Sequence, residues 1–274
     1  ILRIDMAGTL YIVGTPIGNL KDITYRAVET LKSVDIIACE DTRHSRTLLD
    51  AYGISAPLVS YYKQKEREGS EQLVKKLLDG KNVALITDAG MPAISDPGAI
   101  LVSEARNSGV TVTVVPGPTA VASAMALSGY LGSGFTFLGF LPEKRKDKVA
   151  VLSEQKNNPL ALVFYVSPHD LYSQAEFLYS ELGDRKVWAV KEITKMFERV
   201  TETTLGAFDV GEAKGEYVLI VEGATKEKDF SGLSISEHVK NLMDGGLSKK
   251  DAIKKVATDR NLPKNDVYQQ ALDL

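Results

Sequence analysis

Residues 87–98, "TDAGMPAISDPG", directly follow the apolar run "VALI" at 83–86. Two aspartates, two glycines and two prolines after a buried strand mark a sharp strand-to-helix connection. The same grammar recurs nearby. "LYIV" (10–13) leads into "GTPIGN" (14–19), and "VTVTVV" (110–115) leads into "PGPTA" (116–120). Helical patterns alternate with these runs: Ile23, Ala27, Val28 and Leu31 share one helical face, with Asp22 placed to cap it. "DIIAC" (35–39) precedes the helix-like "TRHSRTLLDAY", "SEQLVKKLLDG" (70–80) has a serine start and a glycine stop, and "GAILVSEARNSG" also ends at a glycine. Strands alternating with helices imply parallel pairing, so residues 8–117 are expected to form a parallel-sheet α/β domain.

After the helix-like "TAVASAMALSGYL" the pattern changes. "FTFLGF" (135–140), "LALVFYV" (160–166), "KVWAVKEI" (186–193), "FERVTETT" (197–204) and "EYVLIVEG" (216–223) are strands with fewer helices between them. "KEITKMFERVTETT" reads as two strands in near-direct succession, which implies antiparallel pairing. A second, mixed-sheet α/β domain over 118–223 follows, then a polar linker over 224–233 and three short helices over 234–274.

The chain has 274 residues, 44% hydrophobic and 25% charged, a composition that supports more than one folded core. It shows no membrane-length apolar run and no signal-peptide pattern; Met6 is a candidate natural start after "ILRID". The one cysteine, Cys39, reads as a buried small hydrophobe, which suits a reducing cytoplasm. His44, His169 and His238 are too scattered for a metal site, and no metal is expected. A net charge of −3 argues against polyanion binding by the whole surface while leaving room for local basic patches.

The three loops leave the carboxyl ends of strands, where parallel sheets bind ligands. None is a phosphate cradle: G-x-G-x-x-G is absent, as is a glycine-rich loop ending in Lys-Ser or Lys-Thr. A ligand without phosphates fits better. S-adenosylmethionine offers a ribose diol and an ammonium group for carboxylates, and Gly and Ala let backbone approach its polar ends.

Seven stretches together, "GTLYIVGTPIGNLKDITYRAVETL", "DIIACEDTRHSRTLL", "VALITDAGMPAISDPG", "VPGPTA", "FTFLGFLPEK", "KEITKMFE" and "GEYVLIVEG", resemble the ribosomal small-subunit cytidine 2′-O-methyltransferases of the tetrapyrrole methylase superfamily. The resemblance runs in order from about residue 8 to 223, and the last helices resemble the small helical domain that many members append. It implies a homodimeric, S-adenosylmethionine-dependent enzyme, with the cofactor folded into the cleft between two domains. Its substrate would be the ribose of a cytidine in the decoding region of 16S RNA in the small ribosomal subunit. By resemblance the cofactor candidates are Asp88, Ala89, Gly90, Ile94, Ser95 and Asp96, helped by Pro16, Thr119 and Ala120, with Phe164 and Tyr165 on the flanking strand.

A ribose hydroxyl is a weak acid, so a base or cation beside it would help. "EDTR" offers Glu40 and Asp41 as candidate bases and Arg43 as a clamp; the alternative is a strand-end cap with a surface ion pair. Lys195 is a candidate for steadying developing negative charge, or else a solvated surface residue; an extended segment would point it away from Glu198. "PEKRKDK" (142–148) makes Lys144, Arg145 and Lys146 candidate RNA contacts against the alternative of a solvated loop. The helix-turn-helix-like tail adds Lys249, Lys250, Lys254 and Lys255, against a helical cap that touches no RNA.

Two departures stand out. Where the family usually shows Glu-Ser-Pro-His-Arg, this chain has "VSPHD", with Val166 and Asp170 at the outer positions; Tyr62, Lys63 and Gln64 replace His-Glu-His. Val166 and Asp170 support one alternative, a cofactor- or RNA-binding paralogue without turnover; a second, a corrin- or porphyrin-precursor C-methyltransferase on the same scaffold, is opposed by "EDTR" and the lysine-rich tail.

Overall fold

The computed structural model describes residues 7–224, 230, 232–272 and 274. The expected linker over 224–233 falls largely outside these residues, as does the candidate start at Met6. Two compact units divide after Gly223.

The first unit holds two five-stranded sheets. One is wholly parallel, in the order β3-β2-β4-β1-β5: β1 (Thr9–Val13), β2 (Ile36–Cys39), β3 (Leu58–Ser60), β4 (Val83–Leu85) and β5 (Thr111–Val115). Its inner strands β2 and β4 are buried along their whole length, which is why they read as unbroken apolar runs. Around them lie α1 (Tyr25–Ser33), α2 (Thr42–Ala51), α3 (Glu66–Leu78) and α4 (Ala99–Asn107). Leu73 and Leu77 of α3 and Leu101 and Ala105 of α4 cover one face; Ala27, Leu31 and Leu49 cover the other.

The order places the chain reversal between β4 and β1. The chain leaves β1 toward β2 on one side and leaves β4 toward β5 on the other, so a crevice opens at their carboxyl ends. Two helix starts differ from expectation. Thr24, not Asp22, caps α1, accepting from the Ala27 N–H at 3.1 Å. α3 begins at Glu66, not Ser70; Ser70 is interior and buried, its hydroxyl donating to the Glu66 carbonyl at 2.8 Å.

The second sheet is mixed, in the order β6-β7-β10-β8-β9. β6 (Phe135–Gly139) runs parallel to β7 (Ala161–Val166); β10 (Tyr217–Val221), β8 (Lys186–Lys191) and β9 (Arg199–Thr204) pair antiparallel. α5 (Ala120–Ser128) packs small residues on one face; α6 (Arg145–Gln155) and α7 (Leu171–Leu182) cover the other. α6 and α7 are absent from the sequence reading. Of the basic cluster 142–148, residues 145–148 form the first turn of α6 and only 142–144 precede it.

The second unit is a three-helix bundle: α8 (Ile235–Asp244), α9 (Lys249–Asp259) and α10 (Lys264–Gln270) around Val239, Ile253, Val256 and Val267. Ser234 and Glu237 form a reciprocal cap on α8, and Ser248 caps α9. No helix among the described residues is long and apolar enough to cross a membrane.

Candidate functional site

The three loops meet at one place. Thr15 and Gly90 exchange backbone hydrogen bonds of 2.9 and 3.1 Å, and the buried Thr15 hydroxyl donates to the Thr87 carbonyl at 3.1 Å. A Cβ on Gly14 would lie 2.7 Å from the backbone of Gly117, so loops 14–19 and 116–120 cross where only glycines fit. The far end of loop 87–98 is pinned from α3, where Glu66 accepts from the Gly98 N–H at 2.8 Å.

Above this crossing a cleft of about 420 Å³ separates the two sheets. Asp88, Ala89, Gly90, Ile94, Ser95 and Asp96 line its first wall. Thr119 and Ala120 line it too, Thr119 capping α5. Tyr165 stands on the opposite wall, edge-on to Phe137 and Phe140 at ring separations of 4.9 and 5.5 Å.

Two cofactor candidates lie elsewhere. Pro16 is buried beside the Thr15–Gly90 bridge, and its neighbour Ile17 reaches the cleft instead. Phe164 faces the core on the far side of the second sheet, because side chains alternate along a strand and Tyr165 takes the cleft side.

Glu40 joins the lining, while Asp41 and Arg43 do not. Asp41 caps α2, accepting from the Arg43 N–H at 2.8 Å, and pairs with the exposed Arg43 guanidinium at 3.0 Å. That pairing holds the Asp41 carboxyl at about 2, so it is a poor proton acceptor. The strand-end cap with a surface ion pair therefore describes "DTR". The Asp41 N–H also reaches the Asp88 carboxylate at 3.4 Å, which ties this strand end to the central loop.

The carboxylates in the cleft behave differently. Burial, and then the Asp88 charge, push the Glu40 carboxyl up. Burial and the Glu40 charge push Asp96 up to about 6 against the lowering effect of its bond with Thr87, and Asp88 adds to the rise.

Across the cleft, the turn at 192–198 is not extended, contrary to the strand expectation. Glu192 and Thr194 have φ of 49° and 68°, and Glu198 folds back to accept from the Thr194 N–H at 2.7 Å. The turn presents Lys195, whose ammonium bonds Glu192 at 3.0 Å and Glu216 at 2.7 Å. Burial pulls its pKa down, but the bonds to Glu216 and Glu192 outweigh that and leave it raised. Lys195 itself stands outside the lining; Glu216 is the member of the trio that reaches it. Ala93 and Ser95, at φ of 65° and 64°, are also left-handed, so strained backbone concentrates on the two facing loops.

The cleft residues that the sequence does not mark come mainly from the second sheet, Val166, Val190, Tyr217 and Val218, and from the segments just past its strands, Ser167 and Ile193. Both faces of that sheet are buried, so no alternation marked which residues look into the cleft. Val166, one of the two departures, lines the cleft; Asp170 does not, and its carboxylate accepts from the Ser167 hydroxyl at 2.7 Å. Of the other departure, Lys63 and Gln64 lie in an exposed single turn before α3.

Lys144, Arg145 and Lys146 are not among the residues lining the cleft. They are exposed at the start of α6. Lys250, Lys254 and Lys255 are exposed on α9, while Lys249 donates to the Leu272 carbonyl at 3.2 Å and ties down the end of its own unit. Among the described residues no cluster of three His, Cys, Asp or Glu is placed to hold a metal ion.

Residues 9–209 match the model of the Tetrapyrrole (Corrin/Porphyrin) Methylases. A relative from Halalkalibacterium halodurans, named Ribosomal RNA small subunit methyltransferase I, is 42% identical over 96% of this chain and 94% of its own length. Its namesake from Bacillus subtilis is 40% identical over 95% and 93%. Among solved structures, the uroporphyrin-III-C-methyltransferase of Thermus thermophilus superposes with a TM-score of 0.55 at 20% identity, over 78% of this chain and 94% of that one, a likeness of fold. The chain belongs to the tetrapyrrole methylases and, within them, to the family of ribosomal RNA small subunit methyltransferase I.

Proposed function

We propose that this protein transfers a methyl group from S-adenosylmethionine to the ribose 2′-hydroxyl of a cytidine in the decoding region of 16S RNA. One observation carries the cofactor reading. Among the described residues, the lining holds four carboxylates, Glu40, Asp88, Asp96 and Glu216, and no lysine, arginine or histidine. Such a cavity repels phosphates and suits a ligand with positive charge and hydroxyl donors. When bound, S-adenosylmethionine supplies a methyl already activated on a sulfonium cation. Asp88 and Asp96 hold its ammonium group and ribose diol, the backbone at Ala89 and Gly90 approaches its polar ends, and Tyr165 packs on its apolar surface.

The protein's own work is then positioning and proton control. Glu40, in the lining and with a raised pKa, takes the proton of the acceptor hydroxyl; Asp41, tied to Arg43, does not. Lys195, outside the lining but bonded to the lining residue Glu216, steadies from the edge of the cleft the negative charge that develops on the ribose oxygen. As part of the same reading the protein is a cytoplasmic homodimer that needs no metal.

The test pairs calorimetry with transfer of labelled methyl from S-adenosylmethionine to small subunits from cells lacking the enzyme. Expected are one cofactor per chain, no competition by ATP, and label in the RNA. ATP binding in the cleft, or cofactor binding without transfer, would overturn the reading.

A further inference from the structure

A second groove, of about 490 Å³, lies between α6 and α7 and shares no lining residue with the cleft. Arg145 and Lys148, three residues apart on one face of α6, stand over the Phe177 ring at 5.4 and 5.8 Å from its centroid. α7 contributes Ser173, Glu176, Phe177 and Ser180 from a single face. Neither cation forms an ion pair with a described residue. The hydroxyl protons of Ser173 and Ser180 go to the carbonyls of Asp170 and Phe177, which leaves both oxygens as acceptors.

We infer that this groove is an RNA-binding site separate from the cleft, seating a single-stranded segment of the substrate. It rests on the reading of the protein as an RNA methyltransferase. Arg145 and Lys148 meet phosphates, with Lys144 and Lys146 adding charge from the same turn. The guanidinium held over Phe177 offers its outer face to a base. Glu143 and Glu176, the other charged residues of the groove, accept from exocyclic amines of bases and turn the phosphates toward the cations. That mixture suits a nucleotide chain better than an acidic peptide, which offers carboxylates but neither base planes nor amines. The chain itself links the two sites: Phe140, in the cleft lining and 61% exposed, precedes Arg145 by five residues, a reach of at most about 18 Å.

The experiment compares the wild type with a double variant, Arg145→Gln with Lys148→Gln. A control carries Lys75→Gln with Lys76→Gln on the exposed face of α3. Thermal melts confirm folding, and methyl transfer to small subunits is followed across a salt series. The expected result is a KM for subunits raised about tenfold in the groove variant, kcat within about twofold, unchanged cofactor affinity, and a salt slope smaller by about 1.4 for two lost phosphate contacts. The control stays at wild-type values. A groove variant with wild-type KM and slope, or a control showing the same loss, overturns the site. If the wild type transfers no methyl to subunits, the functional reading fails instead. The groove is then judged by anisotropy of a short labelled single-stranded RNA, where equal binding by wild type and variant overturns it.

Discussion

Asp96→Asn should make the ligand-free protein more stable near neutral pH. The carboxyl of Asp96 is moved from 3.8 to about 6 by burial and by its neighbour Glu40. A shift of that size corresponds to about 3 kcal/mol against the ionised form. Asp96 is half-buried, and solvent screening roughly halves the figure, to about 1.5 kcal/mol. The sign follows from proton uptake. Between the unfolded value of 3.8 and the folded value of about 6, the native state binds more proton than the unfolded chain. The stabilising contribution is therefore complete below 3.8 and lost as pH rises through about 6. Asparagine keeps an acceptor for Thr87 but carries no charge to be penalised. The variant should match the wild type at about pH 4 and exceed it above about pH 7 by 3–6 °C in Tm. The same change should weaken S-adenosylmethionine binding above about pH 6, because a cationic ligand gains from the ionised carboxylate. Differential scanning fluorimetry across pH, with calorimetry at both ends, reads both effects. A variant less stable than wild type at about pH 8, or a difference independent of pH, would mean that the buried Asp96 charge does not destabilise the ligand-free fold.

Gly14→Ala should cost about 3 kcal/mol or more and abolish cofactor binding, since its Cβ would meet Gly117 backbone at 2.7 Å; near-wild-type melting would contradict the close crossing. Phe164→Leu should lower stability by about 1 kcal/mol with unchanged cofactor affinity, and Tyr165→Leu should weaken cofactor binding more than it lowers Tm. The opposite assignment in parallel melts and titrations would mean that the strand faces are reversed. Lys195→Met should lower kcat about 100-fold with cofactor affinity intact, while Glu216→Gln, which leaves Glu192 as partner, should have a smaller effect; single-turnover methyl transfer measures both.

The sequence made the parallel half legible because its loops are built from residues that announce themselves. Glycines at 14, 90 and 117 and prolines at 92 and 97 mark where the chain turns at a strand end. The opposite wall was hidden. "LALVFYV" is buried on both faces, so period-2 alternation could not separate Tyr165 from Phe164. The turn at 192–198 was hidden for a different reason: its left-handed residues are Glu192 and Thr194, and no glycine or proline marks it. α6 begins with four charged residues that mask its apolar positions, and Asp22 lost the capping role because Thr24 stands nearer the helix start.

Delivery of a methyl group from the cleft to a ribose oxygen leaves a chemical mark on the RNA. The most direct measurement is mass-spectrometric analysis of nucleosides from small-subunit RNA after incubation with the purified protein and labelled S-adenosylmethionine. Label is expected in 2′-O-methylcytidine, mapped to the decoding region, and its appearance is slowed about 100-fold in Lys195→Met. Label on a base carbon or nitrogen, or none despite confirmed cofactor binding, would contradict delivery to a ribose oxygen.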